Sequence, residues 1–352
     1  MRRLIPQIDA RWLALALFFL LLDALLITIF KPGSDWAPLW TAGRLAWDNP
    51  AQLYDFELVA RLQGAVVDKV DFHPFIYPPS ALLLIAPIAL LPFWPSLVLL
   101  ASGSMAWLAA TARRVGSDPW LVVLAPPVII AAIVGQTSLL VVGLVVLACA
   151  SLDKDERKAG ALFALAALIK PTLLVLAPVA LLSGRHWRAI GSTLVVGLAG
   201  FGLSVLLFGL QPWLDWLEAI PAFQRMFDDY PPLVRNAVSP YALAVRLGVE
   251  SMAIVVLGAI VAVAFVWLGF SRPAGAAVRS ALILGGALLL TPYAMNYELA
   301  VFAPALLSLP RESLRNLLVC ALWGLSLFIN AGLLGLLVAY AAVAGPVVTR
   351  RP

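Results

Sequence analysis

The run from Trp12 to Phe30 is apolar over a length that a helix, rising about 1.5 Å per residue, needs to cross about 30 Å of hydrocarbon. Similar runs recur to the end of the chain, joined by short connectors. Soluble domains are about 45–50% apolar. Here 62% of 352 residues are hydrophobic and the mean hydropathy is +0.97, so the spans use up the length and leave no room for a sizeable soluble domain. The sequence predicts an all-α, polytopic integral membrane protein forming one transmembrane domain over residues 1–352. The first run is too long for a signal-peptide core and has no small-residue cleavage site, so it reads as a retained helix.

Composition narrows the function. Cys149 and Cys320 both lie inside apolar runs, which argues against a disulfide framework. His73 and His186 are too far apart for a zinc motif, and no metal or cofactor is expected. The net charge of +5 is scattered between spans, the pattern of cytoplasmic loops and not of a nucleic-acid surface. The lipid bilayer is the expected partner.

Positive charge sets the orientation. Arg2, Arg3 and Arg11 put the N-terminus inside. Basic connectors recur at Arg113–Arg114, Lys154–Lys158, Arg185–Arg188, Arg272–Arg279, Arg311–Arg315 and Arg350–Arg351. The opposite turns are Gly135-Gln136-Thr137, Lys170-Pro171, residues 209–248, Thr291–Glu298 and Asn330-Ala331-Gly332. Uncharged and special residues therefore gather on one face, expected to be extracytoplasmic in a bacterial inner membrane. Residues 80–91, flanked by Pro78, Pro79 and Pro92, are too short to cross upright and read as a re-entrant or juxtamembrane helix. This leaves about 12 crossings.

The polar interval 31–79 becomes a large first extracytoplasmic loop. It carries four basic residues (Lys31, Arg44, Arg61, Lys69) and six acidic ones (Asp35, Asp48, Asp55, Glu57, Asp68, Asp71) in a chain that is only 12% charged. A second loop, 209–248, is placed to roof it. Short or proline-broken spans (159–169, 171–182, 278–290) are tolerated in lipid where they line a cavity.

Within this frame a few residues can carry chemistry. Asp35, about one turn past the first span and beside Trp36 and Trp40, is a candidate general base; the competing reading is a helix cap on residues 36–47. Arg44 suits a lipid phosphate or a snorkelling contact. Tyr77, in the turn His73–Pro79, suits a sugar, a polyprenyl chain or an interfacial belt. Lys170 stands between two apolar runs and before Pro171, where an ammonium is costly unless paired or wetted; it can hold a phosphate or pair with Glu298. Glu298 heads an apolar span, and neighbouring Asn296 and Tyr297 can hydrogen-bond a hydroxyl-rich ligand. Gln136 is a neutral polar group at an outer tip. Asp228, Asp229, Arg235 and His186 read as surface charges.

The order DWAPLWTAGR, LYDFE and PFIYPPSALLLIAPIALLP resembles the N-terminal region of the family-87 glycosyltransferases of the GT-C superfamily. GQTSLL, AGALFALAALIKPTLLVLAPVALLSGRHWRA and TPYAMNYELAVFAPALL extend the resemblance to about residues 35–307. It implies a GT-C-like bundle that takes a sugar, usually mannose, from a polyprenyl-phosphate donor. Transfer would occur on the extracytoplasmic face, with inversion, to a glycolipid or polysaccharide acceptor. It implies Asp35 as the catalytic base. Arg44 and Lys170 are the donor-phosphate candidates on physical grounds, with the Lys170-Pro171 context also matching the family, and Tyr77, Gln136 and Glu298 are candidate substrate-binding wall residues. The family more often carries aspartate at the Glu298 position. A transporter or flippase for a lipid-linked sugar would use the same cations but no base. A catalytically dead relative is a third reading, against which Asp35 argues.

Overall fold

A computed structural model describes residues 10–67, 73–249, 251–310, 312–328 and 331–349. Arg2, Arg3, Asp68, Lys69, Asp71, Arg311, Asn330, Arg350 and Arg351 lie outside them. The described residues are helical. The elements are α1 (Ala10–Ile29), α2 (Trp36–Asp48), α3 (Phe56–Gly64), α4 (Leu82–Ile88), α5 (Phe93–Arg114), α6 (Pro119–Leu124), α7 (Pro126–Val134), α8 (Ser138–Ser151), α9 (Glu156–Ile169) and α10 (Ala177–Ser183). They continue as α11 (Trp187–Phe208), α12 (Gln211–Asp229), α13 (Pro231–Asn236), α14 (Pro240–Leu247), α15 (Ser251–Ser271), α16 (Ala276–Leu290), α17 (Ala303–Leu306), α18 (Leu314–Leu325) and α19 (Gly332–Thr349).

Four of these, α1, α5, α11 and α15, are long and apolar enough to cross a membrane. The others of the bundle are shorter, and proline or glycine breaks them: Ala125 and Pro126 separate α6 from α7, and a 3₁₀ turn, Pro171–Leu174, separates α9 from α10. Lipid is as apolar as leucine, so close packing and not water exclusion holds such helices together. Gly160 illustrates it: a Cβ there would sit 2.1 Å from the Ala189 carbonyl oxygen, so α9 and α11 meet backbone to backbone.

The interval 31–79 is folded, not loose. Asp55 caps α3 by accepting from the Glu57 and Leu58 amides. α4 runs antiparallel to α2, stitched by the Trp40 indole to Leu91 O (3.0 Å) and the Trp47 indole to Ala86 O (3.1 Å). Ser80 Oγ donates to Leu168 O near the end of α9, and Trp36 Nε1 donates to Ser96 Oγ in the first turns of α5. Both ends of 80–91 therefore lie at the same end of the bundle, the one that carries Asp35 and Lys170.

Described residues of the basic connectors gather at the other end. There Arg279 reaches Asp153 at 3.3 Å, and Glu156 Oε1 lies 3.0 Å from His186 Nδ1. His186 is thus a partly buried hydrogen-bond partner for Glu156 and not a free surface residue. This pairing holds the Glu156 carboxyl below its usual range, first through the hydrogen bond from His186. Asp228, also read as solvated, accepts from Tyr241 Oη (2.9 Å) and Gln224 Nε2 (3.0 Å).

Candidate active site

The polar residues of the site sit where helices stop. α7 ends at Gly135, whose φ of +85° is the left-handed turn that glycine adopts without strain. The Gln136 amide then reaches back to Ala131 O (2.8 Å), a Schellman-type closure. Two further carbonyls of this terminus, Ile133 O and Val134 O, accept from the amides of Gly33 and Asp35, both at 2.9 Å. The orphan carbonyls of one helix thereby fix the segment that carries Asp35 beside Gln136, 101 residues away. Lys170 occupies the non-helical break after α9, and Glu298 lies in the 3₁₀ segment Asn296–Phe302.

Asp35 does not cap α2 with its side chain. It is 8% exposed and its carboxylate turns to the bundle instead. Oδ2 accepts from Gln136 Nε2 at 2.5 Å, while Oδ1 accepts from Ser34 Oγ at 3.2 Å and lies 4.0 Å from His73 Nε2. Gln136 Nε2 also donates to Tyr297 Oη (2.9 Å). The other end of the same amide, Oε1, accepts from Tyr77 Oη (2.9 Å) and from Lys170 Nζ (3.3 Å). Gln136 therefore joins the base candidate to the ammonium.

Lys170 is paired. Its Nζ donates to Glu298 Oε1 and to Ser138 Oγ (3.0 Å), and stands 5.6 Å from the Tyr77 ring centre. Ser138 Oγ in turn donates to Glu298 Oε1 (3.1 Å). Of the alternatives open for Lys170, the pair with Glu298 is present. Glu298 Oε2 is buried and has no hydrogen-bond partner among the described residues.

Most of these groups line one cleft. Asp35, His73, Tyr77, Gln136, Lys170, Tyr297 and Glu298 form its polar part. Its remaining walls are largely apolar, with Phe223 and Phe227 from α12, Leu233, Tyr293 and Met295 among them. Only Lys170 and His73 on these walls can carry positive charge, against two carboxylates.

Arg44 is not brought to the cleft. Nine residues after Asp35 on a helix is about half a turn away in azimuth. The side chain is exposed and lies 5.8 Å from the Trp40 ring centre. Three participants carried little signal in the sequence. His73 was read only as part of a turn; Gln63 clamps its backbone through His73 O (2.6 Å) and His73 N (3.4 Å). Ser138 and Thr137 are hidden at the head of an apolar run. Asp23 in α1 is a different omission. It is 5% exposed and neither oxygen has a hydrogen-bond partner among the described residues. A carboxylate inside an apolar span is the signal that would have found it.

The sequence profile described as glycosyltransferase family 87 matches residues 75–292, well over half of the chain. The chain belongs to glycosyltransferase family 87. The match includes Tyr77, Gln136 and Lys170, and excludes Asp35 and Glu298, which reach the same cleft through the contacts above. No curated protein and no solved structure matches the chain. Glycosyl transfer in a membrane setting follows from the family and the apolar helices together.

Proposed function

We propose that this glycosyltransferase moves a sugar, mannose by the family's habit, from a polyprenyl-phosphate donor to the hydroxyl of a glycolipid or polysaccharide, on the extracytoplasmic face and with inversion. The observation that carries the reading is the single amide, Gln136, that ties a carboxylate to an ammonium at the foot of an apolar-walled cleft. A general base and a cation at fixed separation are what this transfer needs. Apolar walls suit a donor that carries a polyprenyl chain.

In this mechanism Asp35 Oδ1 takes the proton of the acceptor hydroxyl. The hydroxyl oxygen attacks the anomeric carbon from the side opposite phosphate. The carbon–oxygen bond to phosphate breaks and its electron pair leaves with polyprenyl phosphate. Asp35 Oδ2, already holding Gln136, keeps the carboxylate aimed. The leaving phosphate gains one negative charge, and Lys170 stabilises it by its field. All three ammonium protons already have acceptors. A phosphate oxygen in direct contact would displace the longest of these, Gln136 Oε1. His73 is the other cleft group able to offset the donor's charge.

The test is transfer of label from a radiolabelled polyprenyl-phosphate mannose to host lipid extract by protein in nanodiscs. Asp35→Asn should bind donor but lose about 10²–10⁴-fold in turnover, the usual contribution of a general base. Equal transfer by both proteins would remove Asp35 from this role. Donor binding without transfer by the wild type, followed by movement of donor across vesicles, would favour the flippase.

A further inference from the structure

α12 follows a membrane span but is not one. Its surface divides into three sectors at helical spacing. Pro212, Trp216, Ala219, Phe223 and Phe227 face the protein, and the last two wall the cleft. Gln211, Asp215, Glu218, Arg225 and Asp229 form a polar sector. Between them runs an exposed apolar stripe, Leu210 (52% exposed), Leu214 (46%), Leu217 (57%) and Pro221. The stripe ends there: the next positions in its register are Gln224 and Asp228.

We propose that the first three turns of α12 lie in the headgroup–acyl boundary of the bilayer, with Leu210, Leu214 and Leu217 inserted among lipid chains. Two observations name lipid as the occupant. The stripe is continuous with the outward surface of α11, a span with Leu206 81% and Leu207 51% exposed, and only Gly209 intervenes before Leu210. α12 is also folded back against that span: Trp213 packs edge-on against Phe201 with ring centres 4.8 Å apart, and its Nε1 donates to Ser204 Oγ at 3.1 Å. The start of α12 is therefore held at the depth of the last two turns of α11, below its end. A helix with one charged sector and one leucine stripe at that depth rests in the interface plane. The loss of the stripe beyond Pro221 marks where the helix leaves the lipid. On the donor reading above, this sets the Phe223–Phe227 wall of the cleft just past the point where α12 leaves the lipid, so a lipid-tethered substrate reaches the cleft from the bilayer side. The test does not depend on that reading.

Single substitutions Leu214→Cys, Leu217→Cys, Asp215→Cys and Glu218→Cys are made in the full chain, spin-labelled and reconstituted in phosphatidylethanolamine–phosphatidylglycerol vesicles. Cys149 and Cys320 are buried, so unsubstituted protein serves as the unlabelled control. Power saturation with oxygen, which concentrates in lipid, and with a water-soluble nickel chelate then gives a ratio at each position. The expected result is a severalfold higher oxygen-to-nickel ratio at 214 and 217 than at 215 and 218. Equal ratios at all four positions would overturn the proposal by placing α12 in water. Spin–spin broadening at 214 or 217 would also overturn it, by showing a second copy of the chain on the stripe.

Discussion

Replacing Lys170 by methionine isolates the energy of the deepest charge pair. The side chains of Lys170 and Glu298 are 15% and 5% exposed. Without the ammonium, Glu298 Oε1 keeps only the Ser138 hydroxyl, and Oε2 had no partner to begin with. Breaking a buried pair by removing one member costs about 3–5 kcal/mol. An independent bound gives a similar figure: protonating an ordinary glutamic acid at pH 7, the escape open to a stranded carboxylate, costs about 3.7 kcal/mol. A chain of this size loses about 2 °C of Tm per kcal/mol, so Lys170→Met should melt about 6–10 °C lower by tryptophan fluorescence. Lys170→Met combined with Glu298→Gln removes both charges and should regain most of that loss, a coupling of about 2–3 kcal/mol. The double variant should be folded yet slow in transfer, because the field on the leaving phosphate is gone. If the double variant melts as low as the sum of the two single changes, the pair is not what holds this break in the helix. If it transfers sugar at the wild-type rate, Lys170 has no part in the chemistry.

Gln136→Leu removes the shortest donor to Asp35; a hydrogen bond to a charged group contributes about 1.5–3 kcal/mol, so kcat/KM should fall about ten- to hundredfold in the label-transfer assay. Gly135→Ala forces an L side chain to φ +85°, with its Cβ 2.5 Å from Trp36 Cβ and 2.8 Å from Leu97 Cδ1. Backbone strain of about 1–2 kcal/mol and overpacking of about 1–3 kcal/mol should add to a Tm loss of at least several degrees in the same melting experiment. At the opposite end, the Glu156 carboxyl is held low by His186, so its stabilisation is present above the ordinary glutamate range near about 4.3 and is lost as pH falls through the lowered value. The Tm difference between wild type and Glu156→Gln, measured from pH 7 to pH 3, should be constant at the upper end and close below about pH 4.

The sequence makes the site's members legible and conceals their partnership, and the reason is physical. A lysine before a proline between apolar runs, a glutamine after a glycine, and an acid heading a span each violate the local rule that lipid imposes on polar groups. Such violations can be read one residue at a time, which is why Asp35, Tyr77, Gln136, Lys170 and Glu298 could all be singled out. The joining cannot be read that way, because Gln136 meets Asp35 across 101 positions and Lys170 meets Glu298 across 128. Ser138 breaks no rule at a helix start, and His73 is positioned by a clamp from Gln63 that no local pattern announces. Arg44 is the converse case: its charge and sequence neighbourhood suit the site, but helical azimuth turns it away from the cleft. The two polar intervals hold more structure than their polarity announces, for one reason. Polarity in a membrane protein marks residues that leave the lipid, yet α2 buries Trp36 and Leu39 while α12 divides one helix among protein, water and the exposed leucine stripe. In that division Phe223 and Phe227 carry the consequence for function, since they belong to the same helix as the stripe and wall the cleft that holds Asp35.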